Sequence, residues 1–389
     1  MLKEVRIQNY KSIQKLKLEL GRVTVLIGEN GCGKSNILEA IALASAAAND
    51  KLDNEFLAAR GIRVTEPQLM RSAFEKENLD KDIRIEFRKD DKALFSCILQ
   101  NDNFLYSQWV SKNYFGNSES SLKNVVQLFV QKLGERDKLI SVIEKGTELL
   151  EQELSSLKKD TESFVQKLHL NKFIIYSPEN SALRTFEKSG QIQPLGINGE
   201  GLFKLINFLS FDGNQDKLNE IKKKLRLIDS FKDFEVPHDL AAMQASLQIT
   251  DRYLDTDLSY FDQRSSNEGF LFLLFYFTLF ISELTPKFFA IDNIDASLNP
   301  RLCRRLIEEL VELAKKHDKQ VILTTHNPAV LDGLDLDDGE QRLLVIYRSQ
   351  LGHTKATRIL NPEPLDGQEP VDLSEAFLRG YIGGLPKNF

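Results

Sequence analysis

Cysteine is scarce in this chain of 389 residues: Cys32, Cys97 and Cys303 stand far apart, with no CxxC pair and no histidine at ligand spacing. Neither a disulfide framework nor a zinc site is implied, and a reducing cytoplasm suits the chain. Long apolar runs are missing too. The one strongly apolar stretch, Phe270 to Ile281, falls short of the roughly 20 residues of a membrane span and breaks at Ser282-Glu283. It reads as a buried helix, and no membrane partner is expected. The opening Met1-Leu2-Lys3-Glu4-Val5-Arg6 lacks the apolar core of a secretory signal, so a cytoplasmic location is expected. Nor is positive charge in surplus. With 51 lysines and arginines against 57 acids the net charge is −6, which argues against a surface that coats a polyanion, although a basic groove can coexist with an acidic total.

What is present centres on the apolar run Val23 to Ile27, which breaks into Gly28-Glu29-Asn30-Gly31-Cys32-Gly33-Lys34-Ser35 and then a helix beginning at Asn36. Strand, GxxxxGK[ST] and helix in that order make a phosphate-binding P-loop. Gly28, Gly31 and Gly33 let the backbone turn its N–H groups, those of Glu29, Asn30 and Cys32 among them, around a phosphate. The helix N-terminus at Asn36 adds partial positive charge. Lys34 reaches the β- and γ-phosphates and Ser35 offers its hydroxyl to Mg²⁺, so ATP and Mg²⁺ are the expected cofactors. Phe288-Phe289-Ala290-Ile291-Asp292 is a second apolar strand, ending in a carboxylate that would hold the same Mg²⁺ with Ser35. Gln320 to Thr325 is a third, ending at His326.

Around these motifs the segments 2–7, 16–20 and 22–27 read as strands, residues 82–87 and 94–99 as a hairpin, and 172–176 as a further strand. A last hairpin joins 342–348 to 355–359 around Gly352. From about Ser120 to Leu170 the chain is charged and helical, with Ile143, Leu150, Leu157 and Phe164 at heptad spacing. Such an arm would reach about 45 Å. It is either an amphipathic helix packed on its own domain or an arm for dimerisation or a partner. Lys222-Lys223-Lys224 reads as a solvated helix face. The tail from Leu378 to Phe389 is specific enough in wording to suggest partner docking, with a frayed terminus as the alternative.

The wording Val5-Arg6-Ile7-Gln8-Asn9-Tyr10-Lys11-Ser12-Ile13 resembles the opening of the RecF, SMC and OLD-like ATPases of the ABC class, with Tyr10-Lys11-Ser12 at their aromatic-Lys-[Ser/Gly] position. Leu195-Gly196-Ile197-Asn198-Gly199-Glu200-Gly201-Leu202 resembles a phrase of the OLD-like members. The resemblance implies an α/β fold: an ABC-type ATPase head, with a mixed sheet carrying the P-loop, an antiparallel β-lobe and an inserted helical, short coiled-coil region. The head would comprise residues 1–115 and 171–389, with the arm at 116–170. It makes Asp292 the Walker B carboxylate, 294–300 the D-loop that meets a second protomer, and His326 the switch histidine that senses the γ-phosphate. Ser266 with Gly269 approximates the signature that closes on ATP in trans. A helix N-cap by Ser265 or Ser266 is compatible with that role. In such families a glutamate follows Asp292 and activates water. Here the residue is Asn293, which cannot take a proton, and Asp295 is the nearby substitute.

By the same resemblance the chain would be the ATP-binding subunit of a bacterial anti-phage complex such as Septu or PARIS, with slow hydrolysis. It would form dimers or higher oligomers, a hexamer built as a trimer of dimers included, and hold a separate HNH or Toprim-like nuclease, with DNA met through the complex. No HNH pattern is visible, and Asp335-Leu336-Asp337-Asp338 is followed by too little chain for a Toprim domain. The alternatives are a RecF-like repair ATPase and a hydrolysis-deficient scaffold.

Overall fold

In the computed structural model the described residues are 1–89, 92–104, 107–115, 166, 169–186, 190–211, 213–237, 247–255, 257–361 and 371–385. The arm expected at 116–170 lies almost wholly outside them, as do the last four residues, 386–389. Alternating apolar residues make β1 (Glu4–Tyr10) and β2 (Ile13–Glu19) an antiparallel pair, in register from Glu4 opposite Glu19 to Tyr10 opposite Ile13. They join β4 (Ile83–Lys89), β5 (Lys92–Gln100) and β6 (Val110–Phe115) in an antiparallel sheet of order β2-β1-β4-β5-β6. Strand β6 was not expected from the sequence.

The second sheet carries the site. Its order is β13-β12-β3-β11-β10-β7, from β3 (Val23–Ile27), β7 (Ile175–Tyr176), β10 (Phe288–Ile291), β11 (Gln320–Thr325), β12 (Gln341–Arg348) and β13 (Thr354–Ile359). All neighbours run parallel except the edge strand β13. Every residue of β3, β10 and β11 is buried, the mark of strands covered on both faces. The strand expected over 172–176 is shortened to β7, because a 3₁₀ turn occupies Leu170–Lys172 after His169 in a left-handed conformation. A small third sheet pairs β8 (Phe231–Glu235) with β9 (Gln248–Asp251).

Two apolar cores follow. One face of the second sheet and the whole of α1 (Lys34–Ala48) fill the space against the antiparallel sheet; its alanines let α1 be buried on nearly every side. The opposite face packs on α2 (Leu202–Ser210), α3 (Gln215–Leu225), α4 (Glu268–Ile281) and α5 (Pro300–Lys316). Helix α4 is the apolar run, buried from Phe270 to Ile281. Helix α5 buries Cys303, Leu306, Ile307, Leu310, Leu313 and Ala314, a stripe at helical spacing, and leaves its arginines outside. Among the described residues no helix is long and apolar enough to cross a membrane.

Candidate functional site

Parallel strands β3, β10 and β11 end at the same edge of their sheet, so the P-loop, Asp292 and His326 are delivered together by topology. Two of the P-loop glycines, Gly28 and Gly33, are sterically enforced. At Gly33 (φ 109°) an added Cβ would stand 2.1 Å from Thr354 Oγ1, and at Gly28 (φ 155°) 2.1 Å from the Ile346 carbonyl oxygen. Lys34 is buried, and its Nζ donates to the carbonyls of Gly28 (2.9 Å) and Glu29 (3.1 Å) across the loop. Burial lowers its pKa, while Cys32, Asp292 and Asp295 act in the opposite direction. Asn30 and Gly31 are exposed at the tip, Cys32 is buried beneath it, and Ser35 and Asn36 open α1.

Ser35 Oγ donates to Asp292 Oδ2 at 3.0 Å. One hydroxyl and one carboxylate converging at the start of a helix fit Mg²⁺, which takes few protein ligands and completes its shell with phosphate oxygens and water. The other Asp292 oxygen accepts from Thr324 Oγ1, which in turn receives the Asn293 N–H at 2.9 Å. Asp295 accepts from Thr325 Oγ1 at 2.6 Å. Two successive threonines of β11 therefore orient two carboxylates. The His326 side chain is only part exposed, and desolvation of its covered part together with the positive Lys34 outweighs Asp295 and Asp292 and holds its imidazole below the usual pKa, so that it is mainly neutral at pH 7.

At the expected signature the helix cap differs from the one expected at Ser265 or Ser266. Ser266 is buried and its hydroxyl donates to the Gln263 carbonyl at 2.8 Å; Ser265 bonds Asp262. Neither caps α4. The cap is Asn267, whose Oδ1 accepts from Phe270 N at 2.8 Å, because an amide at this position reaches the third N–H and a serine one residue earlier does not. Asn267 and Gly269 line a cavity of about 750 Å³ with Ser297 and Asn299 of the 294–300 loop and with Arg226, Arg301 and Arg305. Asn299 caps α5, so two helix N-termini meet there. Glu268 links the two segments through Ser297 Oγ (2.9 Å) and reaches Asn180 (2.6 Å).

Several residues that brace the loop were not singled out from sequence. Ser12, in the β1–β2 turn, bonds Thr354 Oγ1 (2.7 Å) and Asn36 Nδ2 (2.6 Å), and Thr354 Oγ1 donates to the Cys32 carbonyl at 2.8 Å. Arg348 Nε donates to the Gly31 carbonyl at 2.8 Å. Buried Glu39 gathers Lys11, Arg63 and the Tyr10 hydroxyl, and Arg63 reaches Asn36 Oδ1 at 3.0 Å. Their one sequence signal was the Tyr10-Lys11-Ser12 wording. The tail returns here too: a Cβ on Gly384 would lie 3.7 Å from Gly28 Cα. Of the lysine run, Lys222 pairs with Asp233 and Lys224 with Glu309 and Glu312, while Lys223 is exposed.

Residues 23–332 match the family described as "AAA domain, putative AbiEii toxin, Type IV TA system". Uncharacterized protein MJECL10 of Methanocaldococcus jannaschii is 30% identical over 110 residues, which are 27% of this chain and 49% of that protein. The match thus spans about half the length of that relative. Among solved structures, the SMC head bound to the C-winged helix domain of ScpA superposes with a TM-score of 0.55 at 13% identity, over 92% of this chain and 98% of that one. The SMC head domain from Thermotoga maritima gives 0.46 at 15% identity with coverage of 92% and 98%. The first of these establishes a shared α/β head fold.

Proposed function

The chain belongs to this AAA-domain family of ATP-binding ATPases, and we propose that it works as a nucleotide-gated subunit that dimerises on ATP, hydrolyses it slowly and holds a separate nuclease in an anti-phage complex. The observation that carries the nucleotide part is the 3.0 Å hydrogen bond between Ser35 and Asp292, 257 residues apart, at the mouth of the P-loop. When bound, Mg²⁺-ATP supplies a phosphoanhydride that water can cleave. Lys34 would neutralise the phosphates, while Ser35 and Asp292 would hold the cation. Asp295, oriented by Thr325, and neutral His326 are the groups within this edge that could receive a proton or a hydrogen bond from water.

The dimer part is supported by the cavity at Asn267 and Gly269. It presents two helix N-termini and three arginines, a surface suited to phosphate, on elements other than the chain's own P-loop. The nuclease and the defence setting rest on the family resemblance.

Lys34→Ala tests the reading at both levels. It is expected to abolish ATP binding by the purified chain and, in cells carrying the chain with a nuclease encoded beside it, protection from phage. Retained ATP affinity would refute the site. Salt-dependent DNA binding by the wild-type chain alone would favour a repair ATPase instead.

A further inference from the structure

One arginine joins the cavity at Asn267 and Gly269 to the strand beside the chain's own cation site. Strand β7 neighbours β10, and the Asp292 N–H donates to the Tyr176 carbonyl at 2.8 Å. Just beyond Tyr176 the chain makes a short helical turn, Asn180–Leu183, with Arg184 at its end. The Arg184 guanidinium donates to the carbonyls of Gln263 (2.5 Å), Arg264 (2.7 Å) and Ser266 (2.9 Å), and its Nε to Asn180 Oδ1 (3.0 Å). We propose that Arg184 is a positioning residue, which sets the segment 263–269 in the orientation that receives the phosphates of a nucleotide held by a second copy of this chain. The proposal rests on the reading of this cavity as one that acts in trans.

Three observations carry it. First, the partners of Arg184 among the described residues are neutral, three main-chain carbonyls and one amide oxygen. A planar fork can span several carbonyls of one loop, which a point charge such as lysine cannot. A carbonyl bonded to Arg184 is not free to turn its negative end toward the cavity, so the positive end of α4 stands there unopposed.

Second, the turn that carries Arg184 makes a further link through Glu268. One Glu268 oxygen accepts from Asn180 Nδ2 (2.6 Å) and the other from Ser297 Oγ (2.9 Å), so the turn reaches both the start of α4 and the 294–300 loop. Ser297 sits at φ 59°, a left-handed conformation that a serine keeps only where its surroundings hold it.

Third, the side-chain bonds of Ser265, Ser266 and Asn267 are local, to Asp262, Gln263 and Phe270. They shape the loop without tying it to the sheet. Arg184 supplies that fixed point, eight residues after the Tyr176 carbonyl that holds Asp292 N.

Sedimentation velocity of the full chain with Mg²⁺-ATP, beside calorimetric titration of the same chains, tests the proposal. Arg184→Gln is expected to bind Mg²⁺-ATP as tightly as Gly269→Phe does, and to associate about 10- to 100-fold more weakly than wild type, the range for hydrogen bonds to a charged group. Mixed with Lys34→Ala, whose cavity is intact, it should form ATP-dependent dimers again; mixed with Gly269→Phe it should not. Wild-type association by Arg184→Gln would overturn the proposal. So would loss of its ATP binding, or a mixture with Lys34→Ala that stays monomeric while Gly269→Phe and Lys34→Ala together dimerise, since either marks Arg184 as merely structural. A wild type that binds ATP and stays monomeric would instead refute the trans reading beneath it.

Discussion

Asn293 occupies a left-handed backbone conformation, φ 57°, directly after Asp292. Asparagine and aspartate enter that region with less strain than glutamate, for which it costs about 1–2 kcal/mol. The substitution that adds a carboxylate without disturbing the turn is therefore Asn293→Asp. If a general base limits the reaction, single-turnover ATP hydrolysis should rise about 100-fold in this variant, and less in Asn293→Glu. Unchanged rates would move the role to Asp295, and Asp295→Asn should then silence the wild type. At this scale the sequence is legible where chemistry is local. The P-loop and Asp292 are recognised because a strand, a turn and a charged end lie within a few residues. Asn267 was missed because Ser265-Ser266 offers the commoner capping residues one position early, and only helix geometry decides which side chain reaches Phe270 N.

The elements themselves were readable wherever burial is one-sided or complete: β1 and β2 from alternation, α4 from its unbroken apolar run. Strands β6, β8 and β9 were not: Val110 to Asn113 contains no buried residue, and Phe231–Glu235 mixes exposed and buried residues without a clean period. A further element-level feature is invisible in sequence. Lys319, 1% exposed, caps the segment after α4, donating to the carbonyls of Ser282 (2.8 Å), Thr285 (3.2 Å) and Pro286 (3.2 Å) and to Thr285 Oγ1 (2.9 Å). Burial, aided by Lys287 and opposed by Glu283 and Asp318, brings its pKa from 10.5 down to about 7. Between those values the unfolded chain binds a proton that the folded chain releases, so the cost of burying the charge is full below pH 7 and fades as pH rises. Urea unfolding at pH 7 and pH 9 should show wild type gaining stability relative to Lys319→Met. Parallel behaviour of the two chains would mean that Lys319 stays charged throughout.

For the whole molecule the question is whether one chain holds a complete site. Gly269 bears on it directly. Its backbone needs no glycine, and an added Cβ would meet nothing nearer than Asn267 Oδ1 at 3.5 Å, Leu298 Cδ2 at 3.8 Å and the Ser297 carbonyl at 3.9 Å, all ordinary contacts. Nothing in its own fold forbids a side chain there, so a requirement for glycine would come from something that approaches the cavity it lines. Gly269→Ala should therefore unfold at the wild-type urea midpoint, whereas Gly269→Phe should fold and fail to associate on ATP. Lys34→Ala fails for the opposite reason, having the cavity but not the charge that holds the β- and γ-phosphates. Mixed, the two defective chains can build a dimer in which the intact P-loop of one faces the intact cavity of the other, and ATP-dependent dimers should reappear in sedimentation velocity. If neither chain associates alone and the mixture stays monomeric, the cavity does not act in trans. If Gly269→Phe dimerises as well as wild type, the protomers meet through some other face.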